Sequence, residues 1–195
     1  MDARHDPSRH GYVFSLSPRL FALAGQLAAR LPLVTCGERA VRQLHEHTGF
    51  DAYLVIPSYG DVLVLARAGD RAPDPWSLVP ATECAGGNVL LAYRQSWRDD
   101  QRPDEENTTR LDLEARAAEV RHHGYAVLAQ GDITSLAVPI PMVPAPLAAL
   151  VLLCQTRALS DADREALSAV LRRAAARLGD THDPRRPSPS LPGGP

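Results

Sequence analysis

Two pairs of short apolar runs, each pair joined by turn-forming residues, most constrain the fold of this chain of 195 residues. Residues 53–56 and 62–65 flank the segment 57–61, which contains Pro, Ser, Gly and Asp, and residues 133–140 and 147–154 flank a proline-rich segment. Short runs of this kind, bounded by turn residues, are typical of strands joined in hairpins. The chain is therefore predicted to contain an antiparallel sheet.

Helices are predicted before, between and after the two hairpins along the sequence. Apolar residues recur at helical spacing in residues 17–31, 34–47, 111–124 and 160–178, and a short helix is predicted after the glycine pair 86–87. Ser160, followed three positions later by Asp163, predicts a capping box at the start of the last helix. Helices that cover antiparallel hairpins give an α+β domain. Residues 1–11 are predicted to be a flexible lead-in, and residues 179–195, rich in Pro, Gly, Ser and Arg, a disordered tail.

Charge and composition argue against several classes of function. The net charge is −2, whereas a nucleic-acid-binding protein usually carries a basic excess, so we expect no direct nucleic-acid binding by this chain alone. No apolar run is long enough to span a membrane, and the polar start does not resemble a secretory signal, so we expect a cytoplasmic protein with no membrane partner. Three widely spaced cysteines without a CxxC pair argue against a disulfide framework or a cysteine-rich zinc site, and no cofactor is expected.

Three segments, in order along the chain, resemble the effector-binding domain of IclR-type transcriptional regulators. Residues 12–23, YVFSLSPRLFAL, resemble the junction that follows the winged helix and begins the linker helix. Residues 80–93, PATECAGGNVLLAY, are similar to the family signature, usually written PLHATALGKALLAY. Residues 113–126 and 135–140 resemble the helix that ends in GYA and the strand after it. The resemblance implies a GAF-like antiparallel sheet with helices on both faces.

The same resemblance implies a domain organisation and a function. Residues 12–178 would form the effector-binding domain, with residues 17–31 as a linker or dimer helix, and the chain would lack the winged-helix module. The expected function is transcription regulation through a small-molecule effector in a dimeric or tetrameric homo-oligomer. DNA would then be bound by a partner or by the missing domain.

The candidate binding site begins at the small residues that precede the short helix. Such residues leave backbone N–H groups unobstructed, and the helix dipole adds partial positive charge there, so a carboxylate or carbonyl could be held. The resemblance implies that Ala85 and Gly86 offer these donors, with Cys84 beside them. The alternative is that Gly86 and Gly87 only form a tight turn into the helix.

The rest of the expected site is mainly apolar. Thr82 and Asn88 stand where the family signature has histidine and lysine, and the strand 149–154 supplies apolar side chains. A pocket of this kind favours an apolar or aromatic effector over a small, highly polar acid. Trp76 is a candidate cap over the pocket mouth, although a single tryptophan is more often part of a core or an interface. The expected ligand-binding residues are Cys84, Ala85, Gly86, Ile133, Ser135, Val151, Leu153 and Trp76.

Three other interpretations stay open from the sequence. An enzyme would use Cys84 as a nucleophile at a helix N-terminus, with a base among His45, His47, His122 and His123, but we expect no enzymatic activity. A metal site would use the same histidines, yet spacings of one and two do not share a helix face. A protein–protein interaction or oligomerisation module that has lost ligand binding would use the apolar helix 17–31.

Overall fold

The computed structural model describes residues 2–6, 11–15, 32–93, 107–142, 145–155 and 159–182. These fall into two compact units, Met1–Thr35 and Cys36–Pro195. In the first unit, β1 (Asp2–Asp6) and β2 (Gly11–Ser15) form an antiparallel hairpin. Strand β1 thus lies within residues 1–11, the segment predicted as a lead-in. The predicted helix 17–31 lies outside the described residues.

The second unit is built on a six-stranded antiparallel sheet with the strand order β5–β4–β3–β8–β7–β6. The strands are β3 (Asp51–Ser58), β4 (Asp61–Ala68), β5 (Leu78–Pro80), β6 (Ala126–Gln130), β7 (Ile133–Pro139) and β8 (Ala149–Gln155). The two predicted hairpins are confirmed as the four central strands. The edge strands β5 and β6 were not predicted.

The backbone conformation of the turn between β3 and β4 accounts for the glycine at position 60. Tyr59 and Gly60 both have positive φ, 41° and 87°. Such a two-residue turn follows the right-handed twist of the flanking strands, and glycine adopts its second position without strain. The strands therefore extend through most of the predicted loop 57–61, and Tyr59 is left almost fully exposed.

Four α-helices accompany the sheet: α1 (Pro32–Thr48), α2 (Ala85–Tyr93), α3 (Asn107–His123) and α4 (Asp161–His182). Gly49 and Gly124 follow α1 and α3 with φ of 72° and 75°, the left-handed conformation in which many helices end. Helix α4 continues four residues into the predicted tail. None of the helices in these described ranges is long and apolar enough to cross a membrane.

The sheet has helices on both faces because its strands alternate two sets of buried side chains. Tyr53, Val55, Ala137 and Val151 belong to the core that includes α2 and buried residues of α3. The intervening residues, among them Leu54, Leu136, Leu150 and Leu152, face the other way and are fully buried. Helices α1 and α4 lie on that second side, where Gly37 of α1 approaches Leu54 closely. The predicted α+β, GAF-like arrangement is confirmed.

Candidate functional site

The glycine turn, residues 84–88, leads from a single 3-10 turn (Ala81–Glu83) into α2. Cys84 has an extended backbone and caps the helix that it precedes. Its carbonyl oxygen accepts the N–H of Asn88 at 3.1 Å, and its Sγ accepts the N–H of Gly87 at 3.2 Å. Two N–H groups in the first turn of α2 therefore bind Cys84 itself.

The glycine turn is packed against its neighbours. A Cβ atom on Gly86 would lie 2.8 Å from a methyl carbon of Val151 and 2.8 Å from one of Val55. A Cβ atom on Gly87 would lie 2.1 Å from the carbonyl oxygen of Ala81. Valine side chains of β3 and β8 therefore pack directly against Gly86. This close packing agrees with the alternative interpretation, in which Gly86 and Gly87 only form a tight turn into the helix.

Burial also defines the chemistry of Cys84. It raises the pKa of the thiol to about 11, against the smaller opposing effects of the Gly87 and Gly86 N–H groups, while the Glu83 carboxylate raises it further. At neutral pH the side chain is therefore a thiol and not the thiolate that nucleophilic catalysis needs. Cys84, Ala85 and Val151 are 4%, 0% and 0% exposed, so ligand contacts by these residues stay predictions that require this packing to open.

The candidate histidines make local contacts. His45 Nδ1 lies 2.9 Å from the Phe50 carbonyl oxygen and 3.7 Å from Oδ1 of Asp51. The rings of His122 and His123 stack edge to face, with centroids 4.9 Å apart. In the ranges that the structure describes, no group of three or more potential metal-ligating side chains occurs.

The other predicted residues of strands β7 and β8 share one face of the sheet with the glycine turn. In the register, Val151 is opposite Ala137, Leu153 is opposite Ser135, and Gln155 is opposite Ile133. Because side chains two residues apart point to the same side, Val151, Leu153, Ser135 and Ile133 form a continuous strip, here called the stripe. Ser135 is buried, and its hydroxyl donates to the Leu128 carbonyl oxygen at 3.1 Å.

The stripe ends at a pocket of about 360 Å³, here called the end pocket. It lies where β3 and β7 begin and β8 ends, and its lining includes Phe50, Asp51, Arg71, Ile133, Leu153 and Gln155. The structure thus brings two predicted site residues, Ile133 and Leu153, together with a cation and a carboxylate that the sequence did not single out.

Asp51 positions the arginine of the end pocket. Its Oδ2 atom accepts the backbone N–H of Arg71 at 2.8 Å. Gly69, with φ of 93°, passes so close to Asp51 that a Cβ atom there would overlap the carboxylate. The carboxylate therefore fixes the turn after β4, and Arg71 projects from that turn. A turn-rich composition was the only signal that the sequence gives for the segment after β4. Neither Asp51 nor Arg71 was therefore predicted as a site residue.

Trp76 is separate from the residues discussed so far. Its backbone has φ of 69°, its N–H donates to the Val64 carbonyl oxygen at 2.7 Å, and its side chain is 50% exposed. It is not part of the lining of the end pocket, so its role as a cap stays a prediction.

No model of a protein family matches the sequence, and no curated protein matches it. Solved structures do match. An IclR transcriptional regulator from Alicyclobacillus acidocaldarius is 25% identical with a TM-score of 0.69, over 91% of this chain and 78% of that one. The C-terminal domain of the E. coli regulator KdgR is 19% identical with a TM-score of 0.65, over 76% of this chain and 96% of that one. The chain has the fold of the IclR C-terminal domain.

A third similar structure carries a ligand. It is an IclR homologue from Microbacterium hydrocarbonoxydans complexed with 4-hydroxybenzoate, 21% identical with a TM-score of 0.68, over 91% of this chain and 78% of that one. The other two are named as transcriptional regulators, not as enzymes.

Within the IclR-type fold, two departures from the signature now have positions. Thr82, in place of the signature histidine, is half-buried in the 3-10 turn before α2. Asn88, in place of the lysine, is 6% exposed in the first turn of α2. Neither position presents the basic side chain that the signature would supply, and Arg71 of the end pocket lies outside the signature.

Proposed function

We propose that this chain is the effector-sensing domain of an IclR-type transcriptional regulator, with a small, mainly apolar or aromatic organic acid as its effector. One observation carries the proposal: the fold extends over almost the whole of an isolated IclR-type C-terminal domain. The nature of the effector is supported by the aromatic acid bound to the structurally similar homologue. DNA binding then belongs to another domain or to a partner.

The end pocket supports this choice of effector by its chemistry. Ile133 and Leu153 supply an apolar wall, and the guanidinium of Arg71 supplies a cation with the planar geometry that suits a carboxylate. We therefore infer that the aromatic ring lies against the stripe and that the acid group faces Arg71. Cys84, Ala85 and Gly86 would close the other end of the stripe, with Ser135 between.

Calorimetric titration with benzoate and 4-hydroxybenzoate tests the proposal. Arg71→Ala should weaken binding at least about tenfold, equivalent to about 1.4 kcal/mol, because it removes the only cation of the end pocket in the described ranges. Leu153→Glu should abolish binding by placing a like charge beside the acid. Arg42→Ala, an exposed arginine of α1 outside the pocket, is the matched control and should bind as the wild type does. Equal affinity of wild type and Arg71→Ala, or no binding of either acid, would contradict the proposed site.

A second candidate function is an oligomerisation module that has lost ligand binding. The packed glycine turn favours it, and α1 and α4 border a groove of about 640 Å³ that could receive a second copy of the chain. Leu44 and Val170 contribute apolar surface there, and Arg39 and Arg173 contribute charge. Light scattering distinguishes the candidates: a stable dimer or tetramer that Val170→Glu converts to monomer, with no acid bound, would support the second function over the first.

A further inference from the structure

Two residues that line a pocket at the edge of the sheet each carry a buried polar atom with no partner among the described residues. This edge pocket has a volume of about 220 Å³ and lies between strand β6, helix α3 and the start of α4. Its lining includes Asn88, Arg116, Glu119, His123, Asp161 and Arg164. It shares no lining residue with the end pocket.

The two atoms are Asn88 Oδ1 and Arg164 Nε. Each is buried, and neither has a hydrogen-bond partner within the part of the chain that the structure describes. A buried polar atom without a partner is costly, and such atoms usually mark a place for water or a ligand. Oδ1 accepts a hydrogen bond and Nε donates one. The edge pocket therefore calls for a molecule that carries both a donor and an acceptor.

The charged side chains around the edge pocket indicate which kind of ligand it would bind. Nη1 of Arg164 is paired with Oδ1 of Asp161 at 3.1 Å, which orients the guanidinium and leaves its Nε unpaired. Arg116 is exposed at the rim and has no ion pair among the described residues, so its positive charge is free to meet an anion. Glu119, also exposed, can meet a cation. A lining of two arginines with a free carboxylate and an amide oxygen suits a small zwitterion better than a simple anion.

We propose that the edge pocket binds a free α-amino acid, a small-molecule site additional to the effector site. The carboxylate of the amino acid bonds to Arg164 Nε and faces Arg116. Its ammonium group donates to Asn88 Oδ1, with the charge of Glu119 beside it. Asparagine at position 88 makes this possible, because the lysine of the IclR-type signature would put its own cation in the pocket.

Calorimetric titration of the purified chain with the standard amino acids tests the proposal. At least one of them should bind, and the analogues that lack its ammonium or its carboxylate group should bind at least tenfold more weakly. Arg116→Ala should weaken binding tenfold or more without affecting the fold, since this side chain is exposed. Arg42→Ala is the matched control.

A second variant separates ligand binding from a structural role of Asn88. Asn88→Leu should abolish amino-acid binding while the melting temperature stays equal to or above that of the wild type, because leucine removes the unpartnered oxygen. If Asn88 only serves the fold, Asn88→Leu will melt lower and bind amino acids as the wild type does, which overturns the proposal. Absence of binding by every amino acid also overturns it. Arg71→Ala should leave amino-acid binding unchanged, so failure of the effector site and failure of this site are distinguishable.

Discussion

Substitution of Gly86 by alanine tests whether the glycine turn is closed as the structure has it. Two opposing effects act on the free energy of unfolding. Alanine in place of a helical glycine stabilises by up to about 1 kcal/mol, because the unfolded chain loses freedom. Against this, the new Cβ would lie 2.8 Å from methyl carbons of Val55 and Val151, well inside the roughly 3.5–4.0 Å of a good carbon–carbon contact.

The packing effect should exceed the helix effect at this position. Both valines are fully buried in central strands, and β-branched side chains have few alternative rotamers. Overpacking of such a core costs about 1–3 kcal/mol, so we expect a net loss of about 1–2 kcal/mol. That corresponds to a decrease in melting temperature of roughly 2–8 °C for a domain of this size. If the turn faced a hollow, only the helix effect would remain, and Gly86→Ala would raise stability.

Urea denaturation followed by circular dichroism measures the effect, and a double mutant identifies its source. Val151→Ala removes one of the two obstructing methyl carbons, so Gly86→Ala combined with Val151→Ala should be more stable than the sum of the single effects by about 1 kcal/mol. Gly87→Ala is the matched control, because its Cβ meets the backbone oxygen of Ala81 and gains nothing from Val151→Ala. Unchanged or increased stability of Gly86→Ala would refute the reasoning.

Three further outcomes follow from the described geometry. Under native conditions at neutral pH, iodoacetamide should label the partly exposed Cys36 before the buried Cys84, as peptide mass spectrometry can check; faster labelling of Cys84 would contradict its position. Because burial raises the Cys84 pKa from 9.0 to about 11, the unfolded chain loses this proton first, so the contribution of Cys84 to stability should be constant below pH 9 and decrease between pH 9 and 11. In denaturation series between pH 9 and 11, the free energy of unfolding of Cys84→Ala should decrease less steeply than that of the wild type. An equally steep decrease would contradict the prediction. Ser160→Ala should cost about 1 kcal/mol in urea denaturation, because Ser160 Oγ accepts the Asp163 N–H at 3.2 Å and its loss removes the cap of α4; an effect near zero would contradict this.

The sequence predicted the parts of the fold that depend on strong local patterns. The apolar runs became the four central strands, and the spacing of Ser160 and Asp163 predicted the capping box, in which Asp163 Oδ2 also accepts the Ser160 N–H at 3.0 Å. The edge strand β6 was missed because most of its residues are at least partly exposed. Its signal was the pair Gly131 and Asp132, a two-residue turn into β7 with φ of 61° at Gly131.

The site was predictable only as far as strand alternation reaches. Alternation explains why Ile133, Ser135, Val151 and Leu153 share a face, since it depends on sequence spacing alone. The partnership of Asp51 with Arg71 joins residues 20 apart through a turn, and no periodicity reports such a contact. The local sequence also did not reveal what lies opposite a glycine.

What lies opposite the glycines of residues 84–88 determines where an effector can bind. A glycine is required both where a ligand approaches the backbone and where another part of the protein does, so the pattern of residues 84–88 is the same in either case. Here Val55 and Val151 pack against Gly86, and the Cys84 sulfur accepts the neighbouring Gly87 N–H. An acid that binds this chain without disrupting that packing must find a partner for its carboxylate elsewhere along the same face. The end pocket provides one in Arg71, which is why the affinity of Arg71→Ala for aromatic acids tests the function more sharply than any change in the signature itself.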